Sequence, residues 1–161
     1  MRSADARQDP WLHRWLTERQ QAFPGWAAAT GPGNCWDFTP ESLDRLERLV
    51  RERIDDSNRL EDRADTFAQG AIFYVGEVGR RHRGAHWEYL AIDPDDDAGP
   101  HSLANPYAGD PYVIQDGPDA GVVMPLMALT AVVDRPGDGV LRERFDALDE
   151  DLDPEQDQLR P

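Results

Sequence analysis

The chain has 161 residues, a length typical of one domain, and a formal net charge of −15 at pH 7. Its hydrophobic content of 39% and its five Trp, five Phe and four Tyr are typical of a folded protein and exclude wholesale disorder. The negative charge disfavours nucleic-acid binding, because phosphate backbones are repelled, and it favours a protein partner with a basic surface.

Four of the five tryptophans lie in the first 36 residues. Residues 11–23 have the periodicity of an amphipathic helix in which Trp11 and Trp15 lie one turn apart. Pro24 and Gly25 should end this helix. The tryptophans either pack onto the core or form an aromatic anchor set for a protein partner, since Trp is enriched at binding hot spots.

Two further helices are predicted before any strand. The first covers residues 40–54, because Thr39 is a good N-cap and Pro40 suits the first helical position. Its apolar stripe is formed by Leu43, Leu46, Val50 and Ile54. The second covers residues 61–82 and is the most apolar. Its interior contains Gly70, Gly76 and Gly79. Because each interior glycine costs a helix roughly 1 kcal/mol relative to alanine, we expect another backbone to cross close by.

The pattern of the second half predicts a small sheet followed by helices. The predicted elements are strands over residues 85–92, 112–114 and 122–124, then helices over residues 125–133 and 140–148. Helices packed on an antiparallel sheet of about three strands indicate an α+β fold rather than alternating βαβ units.

The chain divides into three parts. We expect a loose leader over residues 1–10, one α+β domain over residues 11–148 and an acidic, disordered tail over residues 149–161. No stretch approaches the ~20 apolar residues of a membrane span, and the amino terminus carries no signal-peptide pattern. A single cysteine, Cys35, fits a reducing compartment, so the sequence favours the bacterial cytoplasm.

Glu77 lies inside the apolar third helix. A buried carboxylate needs a partner or a raised pKa. We therefore predict that Glu77 is buried and paired with Arg80 or Arg81, while a role in binding stays open.

The histidines near the first strand raise the question of a metal site. His82 and His86 have the spacing at which two histidines on one helix face can share zinc, but Gly84 between them should break the helix. His86 and Glu88 fall on one face of the predicted strand and could form a site together. A solvated strand face is the alternative, and we predict no metal and no cofactor.

Residues 70–78 (GAIFYVGEV) and 84–87 (GAHW) resemble a pattern in a bacterial domain family of unknown function. In that family a G-A-x-x-G-E-like helix runs into a Gly and a Trp that start a strand. Residues 105–107 (NPY) and 123–126 (VMPL) resemble its later segments. The resemblance implies a shared fold over about residues 40–135 and, since some members lie near toxin and immunity genes, a related role; it implies no catalytic residue.

No nucleophile-elbow, phosphate-loop or dinucleotide-binding motif occurs in the sequence. We therefore predict a non-catalytic protein-interaction module, an immunity or antitoxin-like inhibitor of a basic partner. The alternatives are a metal-assisted hydrolase using Glu77, His86 and Glu88, or a structural accessory subunit. The candidate binding residues are Glu77, His86, Glu88, Trp11 and Trp15. The acidic bias is also explained by solubility or salt adaptation.

Overall fold

The computed structural model describes residues 6–31, 35–91, 109–117 and 120–148. These residues contain five α-helices, a short 3-10 helix and a three-stranded antiparallel sheet, which confirms the predicted α+β fold. In chain order the elements are α1 (Pro10–Thr30), α2 (Ser42–Arg53), the 3-10 helix (Ser57–Glu61), α3 (Thr66–Arg83), β1 (His86–Glu88), β2 (Tyr112–Ile114), β3 (Val122–Val123), α4 (Pro125–Asp134) and α5 (Val140–Phe145).

The sheet has the order β1-β2-β3, with the fully buried Val113 of β2 opposite Trp87 on one side and Val123 on the other. It packs against α3. The first strand is shorter than the predicted 85–92, because the Tyr89 N–H donates to the Ala6 carbonyl rather than to a strand (3.1 Å). Residue 92 lies outside the described residues.

The prediction that the first helix ends at Pro24 is wrong, because α1 continues to Thr30. A proline inside a helix removes one backbone hydrogen bond. Beyond it, however, Trp26 is buried against α3, and its Nε1 donates to the Phe67 carbonyl (3.2 Å). With the steric clash of its ring, a proline costs a helix interior roughly 3 kcal/mol. Burial of a tryptophan contributes about 4–6 kcal/mol, at about 25 cal/mol for each of its roughly 150–250 Å², so tertiary packing extends the helix through the proline.

The glycines inside α3 face side chains, not another backbone as predicted. Gly70 lies against the ring of Trp26, and Gly76 lies against the ring of Trp87; a Cβ at either position would overlap the ring. Gly79 likewise faces aliphatic side chains. The absent side chains therefore give two tryptophans room to pack directly on the helix backbone.

The other helix ends refine the predicted boundaries. The second helix begins at Ser42 rather than at residue 40, and Glu41, not Thr39, occupies its cap position. The Thr39 Oγ1 accepts from the Ser42 N–H (3.3 Å) in the turn that precedes the helix. The third helix begins at Thr66 rather than at residue 61, with Asp65 as its cap. The buried stripe predicted on the second helix is confirmed for Leu43, Leu46, Val50 and Ile54.

Tyr74 of α3 fixes the segment that enters α2. Its hydroxyl accepts from the Phe38 N–H (2.9 Å) and lies 2.5 Å from the Ser42 Oγ. Burial raises the pKa of Tyr74, so the hydroxyl stays protonated and keeps both contacts. Phe38 has a left-handed backbone (φ 62°), which these contacts hold in place.

Residues 6–10 are part of the fold. Ala6 is 1% exposed, and the Asp9 carboxylate accepts the first backbone N–H groups of α1. Residues 1–5, the remainder of the predicted leader, and residues 149–161, the predicted tail, lie outside the described residues.

Substituting Gly76 with alanine tests the packing of Trp87 on α3. Glycine to alanine in a helix interior ordinarily stabilises by up to about 1 kcal/mol. Here the new Cβ overlaps the Trp87 ring, so we expect a loss of about 1–3 kcal/mol in the free energy of unfolding, measured by urea denaturation. The control is Gly25→Ala in α1, where a Cβ meets nothing within 4 Å and should stabilise. Equal stability of the two variants would contradict this account.

Candidate functional site

The Glu77 carboxylate is 2% exposed and fully engaged by neighbouring donors. Arg80 donates through its Nε (2.7 Å) and a terminal nitrogen (3.0 Å). The Nε1 of Trp87 donates from β1 (2.8 Å), and Arg81 lies one helical turn along (3.5 Å). The prediction of a buried, arginine-paired Glu77 is confirmed.

These contacts keep Glu77 ionised. Burial alone would raise the pKa of Glu77, but the hydrogen bonds from Arg80 and Trp87 and the two arginine charges outweigh burial and lower it. A carboxylate has about four lone-pair positions, and four donor groups point at this one. Glu77 therefore orients Trp87 against α3 and has no acceptor position left for a metal or a substrate.

Glu88 and His86 belong to a separate network. Glu88, 2% exposed, accepts from the Arg7 Nε (2.9 Å) and from the Tyr112 hydroxyl (3.1 Å). Arg7 also donates to Asp116 (2.7 Å), and the His86 Nε2 lies 3.0 Å from the other Asp116 oxygen. Hydrogen bonding from Arg7 lowers the pKa of Asp116. The strand face is therefore solvated at His86 but buried and paired at Glu88.

The structure does not bring the three hydrolase candidates together. Glu77 bonds to Trp87. The residues on either side of Trp87 have other partners: His86 contacts Asp116, and Glu88 accepts from Arg7. Within the part of the chain that is described, no three or more His, Cys, Asp or Glu side chains could hold one metal ion.

Helix α3 also ends between the two histidines of the predicted zinc spacing. Gly84 adopts a left-handed conformation there (φ 64°) and caps the helix. His82 and His86 therefore do not share one helix face, and the predicted helix break at Gly84 is confirmed.

The amino-terminal tryptophans pack onto the core. Trp15 is 5% exposed, donates from Nε1 to Gln69 (2.8 Å) and meets the Trp87 ring edge-on (5.4 Å). Trp11 is half-buried and stacks on Tyr89 (4.3 Å), with the Arg63 guanidinium 4.5 Å from its ring centroid. Trp15 is thus a core residue, and Trp11 is held in a surface stack.

Two surface clefts contain groups that these networks do not use. The first, about 240 Å³, lies between β3, α4 and α5 and is called the Met127 groove. Met127 is 48% exposed, the one large hydrophobic side chain exposed among the described residues. The groove is lined by Val122, Val123, Met124, Met127, Ala128, Arg144 and Ala147.

The second cleft, about 280 Å³, lies between α1 and α3 and is called the aromatic cleft. It is lined chiefly by Arg19, Phe23, Trp26, Phe67, Phe73 and Arg53, with small residues of α1. Sequence reasoning missed both clefts. For the Met127 groove, the sequence did contain a signal. Residues 125–133 are apolar on nearly every side of the helix, so an apolar side chain on the face turned away from the core is left exposed.

The negative charge is spread unevenly along the chain. The described residues contain 15 arginines and 20 acidic residues, a net charge of −5. The remaining −10 lies elsewhere, chiefly in residues 92–108, with four aspartates, and in residues 149–161, with six acidic residues and one arginine. The acidic excess is therefore concentrated in two segments of the sequence.

No protein-family model, curated protein or solved structure matches this chain. Within the described ranges, no helix combines the length and the apolar character needed to cross a membrane. The resemblance to the bacterial family with toxin and immunity neighbours remains a prediction.

Removing the Glu77 side chain tests its role in holding Trp87. Glu77→Ala leaves the buried Trp87 Nε1–H without an acceptor, for which we expect a loss of about 1–3 kcal/mol in the free energy of unfolding. Arg80 and Arg81 add little to this loss, because their side chains are 46% and 44% exposed and can hydrate. Glu77→Gln keeps an acceptor and should lose less; equal losses would contradict the role of the Trp87 bond.

The pH dependence of stability gives a second test. Because the folded-state pKa of Glu77 is lowered, its ionisation stabilises the fold above the unfolded pKa of about 4.3, and that contribution disappears as pH falls through the folded value. The stability difference between the natural chain and Glu77→Gln should therefore shrink steadily below about pH 4.3 in urea titrations. A difference that is constant from pH 6 to pH 3 would argue against an ionised Glu77.

Proposed function

We propose that this chain is a non-catalytic protein-interaction module that binds a basic partner, as an immunity or antitoxin-like inhibitor does. The observation that carries the proposal is the position of the Met127 groove. Ala147 lines this groove, Leu148 follows it, and the acidic residues 149–161 begin directly afterwards. The groove thus lies at the point in the sequence where the most acidic segment begins.

The acidic segment begins at a fixed point of the fold. Leu148 is 2% exposed, and Gly121 lies so close to the Ala147 carbonyl that a Cβ would overlap it. Leu148, the last described residue before the acidic segment, therefore lies beside β3. In this proposal the partner contacts the groove near Met127 and the six acidic side chains that follow Leu148 in the sequence.

The groove has the composition of an interface core. Met is flexible, polarisable and enriched at interfaces that accommodate varied apolar groups. Val122 and Val123 belong to β3, an edge strand, and Arg144 supplies a donor at the rim. An apolar recess that also contains an arginine suits a protein interface, because Met and Arg are both enriched there.

The charge of the chain supports a basic partner rather than a nucleic acid. Acidic segments beside a body with a net charge of −5 raise the encounter rate with a positive surface and repel phosphate. The candidate catalytic groups support the fold instead, since Glu77 and Glu88 are both enclosed by structural hydrogen bonds. They give the hydrolase alternative no support.

The test uses the full chain as bait in extracts of its host. We expect one basic protein to be recovered, and to be lost with Met127→Asp, which places a charge in the apolar groove. The matched control is Gln21→Asp, which adds the same charge at an exposed position on α1 outside the groove. Recovery of the same proteins by both variants would contradict an interface at Met127.

Kinetics with the recovered protein test the acidic segment. Replacing the six acidic residues of 149–161 with Asn and Gln, at constant length, should slow association and leave dissociation nearly unchanged. Association of the natural chain should slow as salt rises, since exposed charges are screened beyond roughly 8 Å at physiological ionic strength. An on-rate insensitive to salt would overturn the steering role and favour an accessory subunit.

A further inference from the structure

We propose that the aromatic cleft between α1 and α3 binds a small, planar aromatic carboxylate. This site is separate from the Met127 groove and does not depend on the proposed interaction function. It rests on three features: preformed aromatic walls, an open side made of small residues, and two arginines that have no carboxylate partner among the described residues.

The walls of the aromatic cleft are fixed in place. Trp26 stacks on Phe23 (6.0 Å between centroids, 25° between planes) and on Phe67 (6.2 Å, 15°). The Trp26 Nε1 donates to the Phe67 carbonyl, and Gly70 lets the Trp26 ring approach α3. Phe73 completes the lining. Nearly parallel rings that are already held together present apolar surface to a flat ligand without further ordering.

Small residues of α1 keep one side of the aromatic cleft open. Ala22, Gly25 and Ala29 line it and are all exposed, at spacings that place them along one helix face. A Cβ built on Gly25 meets nothing within 4 Å. With ordinary side chains this face would fill the space; as it stands, about 280 Å³ remains, enough for a ligand of two fused rings.

Two arginines line the aromatic cleft. The Arg19 Nε is buried and has no hydrogen-bond partner among the described residues. The Arg53 guanidinium lies 5.2 Å from the Phe67 ring centroid and donates to the Ala29 carbonyl (3.2 Å). Neither side chain forms an ion pair in the described part of the chain.

These arginines determine the chemical class of the ligand. Positively charged side chains on the wall of an apolar cleft favour an anionic ligand, and a carboxylate fits the fork geometry of a guanidinium best. A neutral aromatic compound would fill the walls but gain no charge-assisted hydrogen bond from either arginine. An aromatic cation would be repelled locally, although the net charge of −15 attracts cations at long range.

The experiment compares three probes of one shape on the full chain by isothermal titration calorimetry. They are 2-naphthoate, 2-naphthylmethanol and 2-naphthylmethylamine. We expect saturable one-to-one binding of 2-naphthoate, at least about tenfold tighter than the alcohol, with the amine weakest. Because the net charge of the protein favours the amine, this order can arise only from local groups. Equal affinities, or tightest binding of the amine, would overturn the proposal.

Variants locate the binding to the aromatic cleft. Gly25→Leu should weaken both 2-naphthoate and the alcohol at least about tenfold by filling the open side, whereas Arg19→Gln should weaken 2-naphthoate alone. The matched control is Ala28→Leu, which adds a larger side chain at an exposed position of α1 outside the cleft and should bind like the natural chain. Thermal melts verify that each variant is folded. Undiminished binding by folded Gly25→Leu would place the ligand elsewhere and refute the site.

Discussion

Helix α3 carries glycine at the points where tryptophan rings lie against it, and much of the fold depends on this close approach. Trp26, from the end of α1, packs on Gly70, and Trp87, from the first strand, packs on Gly76. One helix thereby holds both the amino-terminal helix and the sheet. A Cβ at either glycine would overlap a ring. The glycines lower the intrinsic stability of the helix, but they allow two of the largest side chains to be buried against it.

Buried polar groups on α3 orient the same rings. Glu77 accepts from Trp87, Gln69 accepts from Trp15, and the Tyr74 hydroxyl holds the chain entering α2. Each polar contact satisfies a group that packing has removed from water, so packing and hydrogen bonding depend on each other. A carboxylate in an apolar helix therefore has a structural explanation here, because its acceptors are filled by donors of the fold.

The functional surfaces lie where the core does not need the side chains. The Met127 groove adjoins the start of an acidic segment, and the aromatic cleft has two arginines beside aromatic rings and small residues. One surface combines apolar contact with negative charge and the other with positive charge. The two proposals, a basic protein at the first surface and an aromatic carboxylate at the second, can therefore be tested independently.

The sequence by itself determined the α+β class, the apolar stripe of α2, the end of α3 at Gly84 and the burial and pairing of Glu77, because each depends on local periodicity, capping or charge spacing. Only the tertiary structure decided the rest. Helix α1 passes through Pro24 because Trp26 is buried beyond it, and Glu88 is buried because Arg7, 81 residues away in sequence, pairs with it. The two clefts also lie where elements distant in sequence meet. No local sequence pattern predicts which side chains come together at such places.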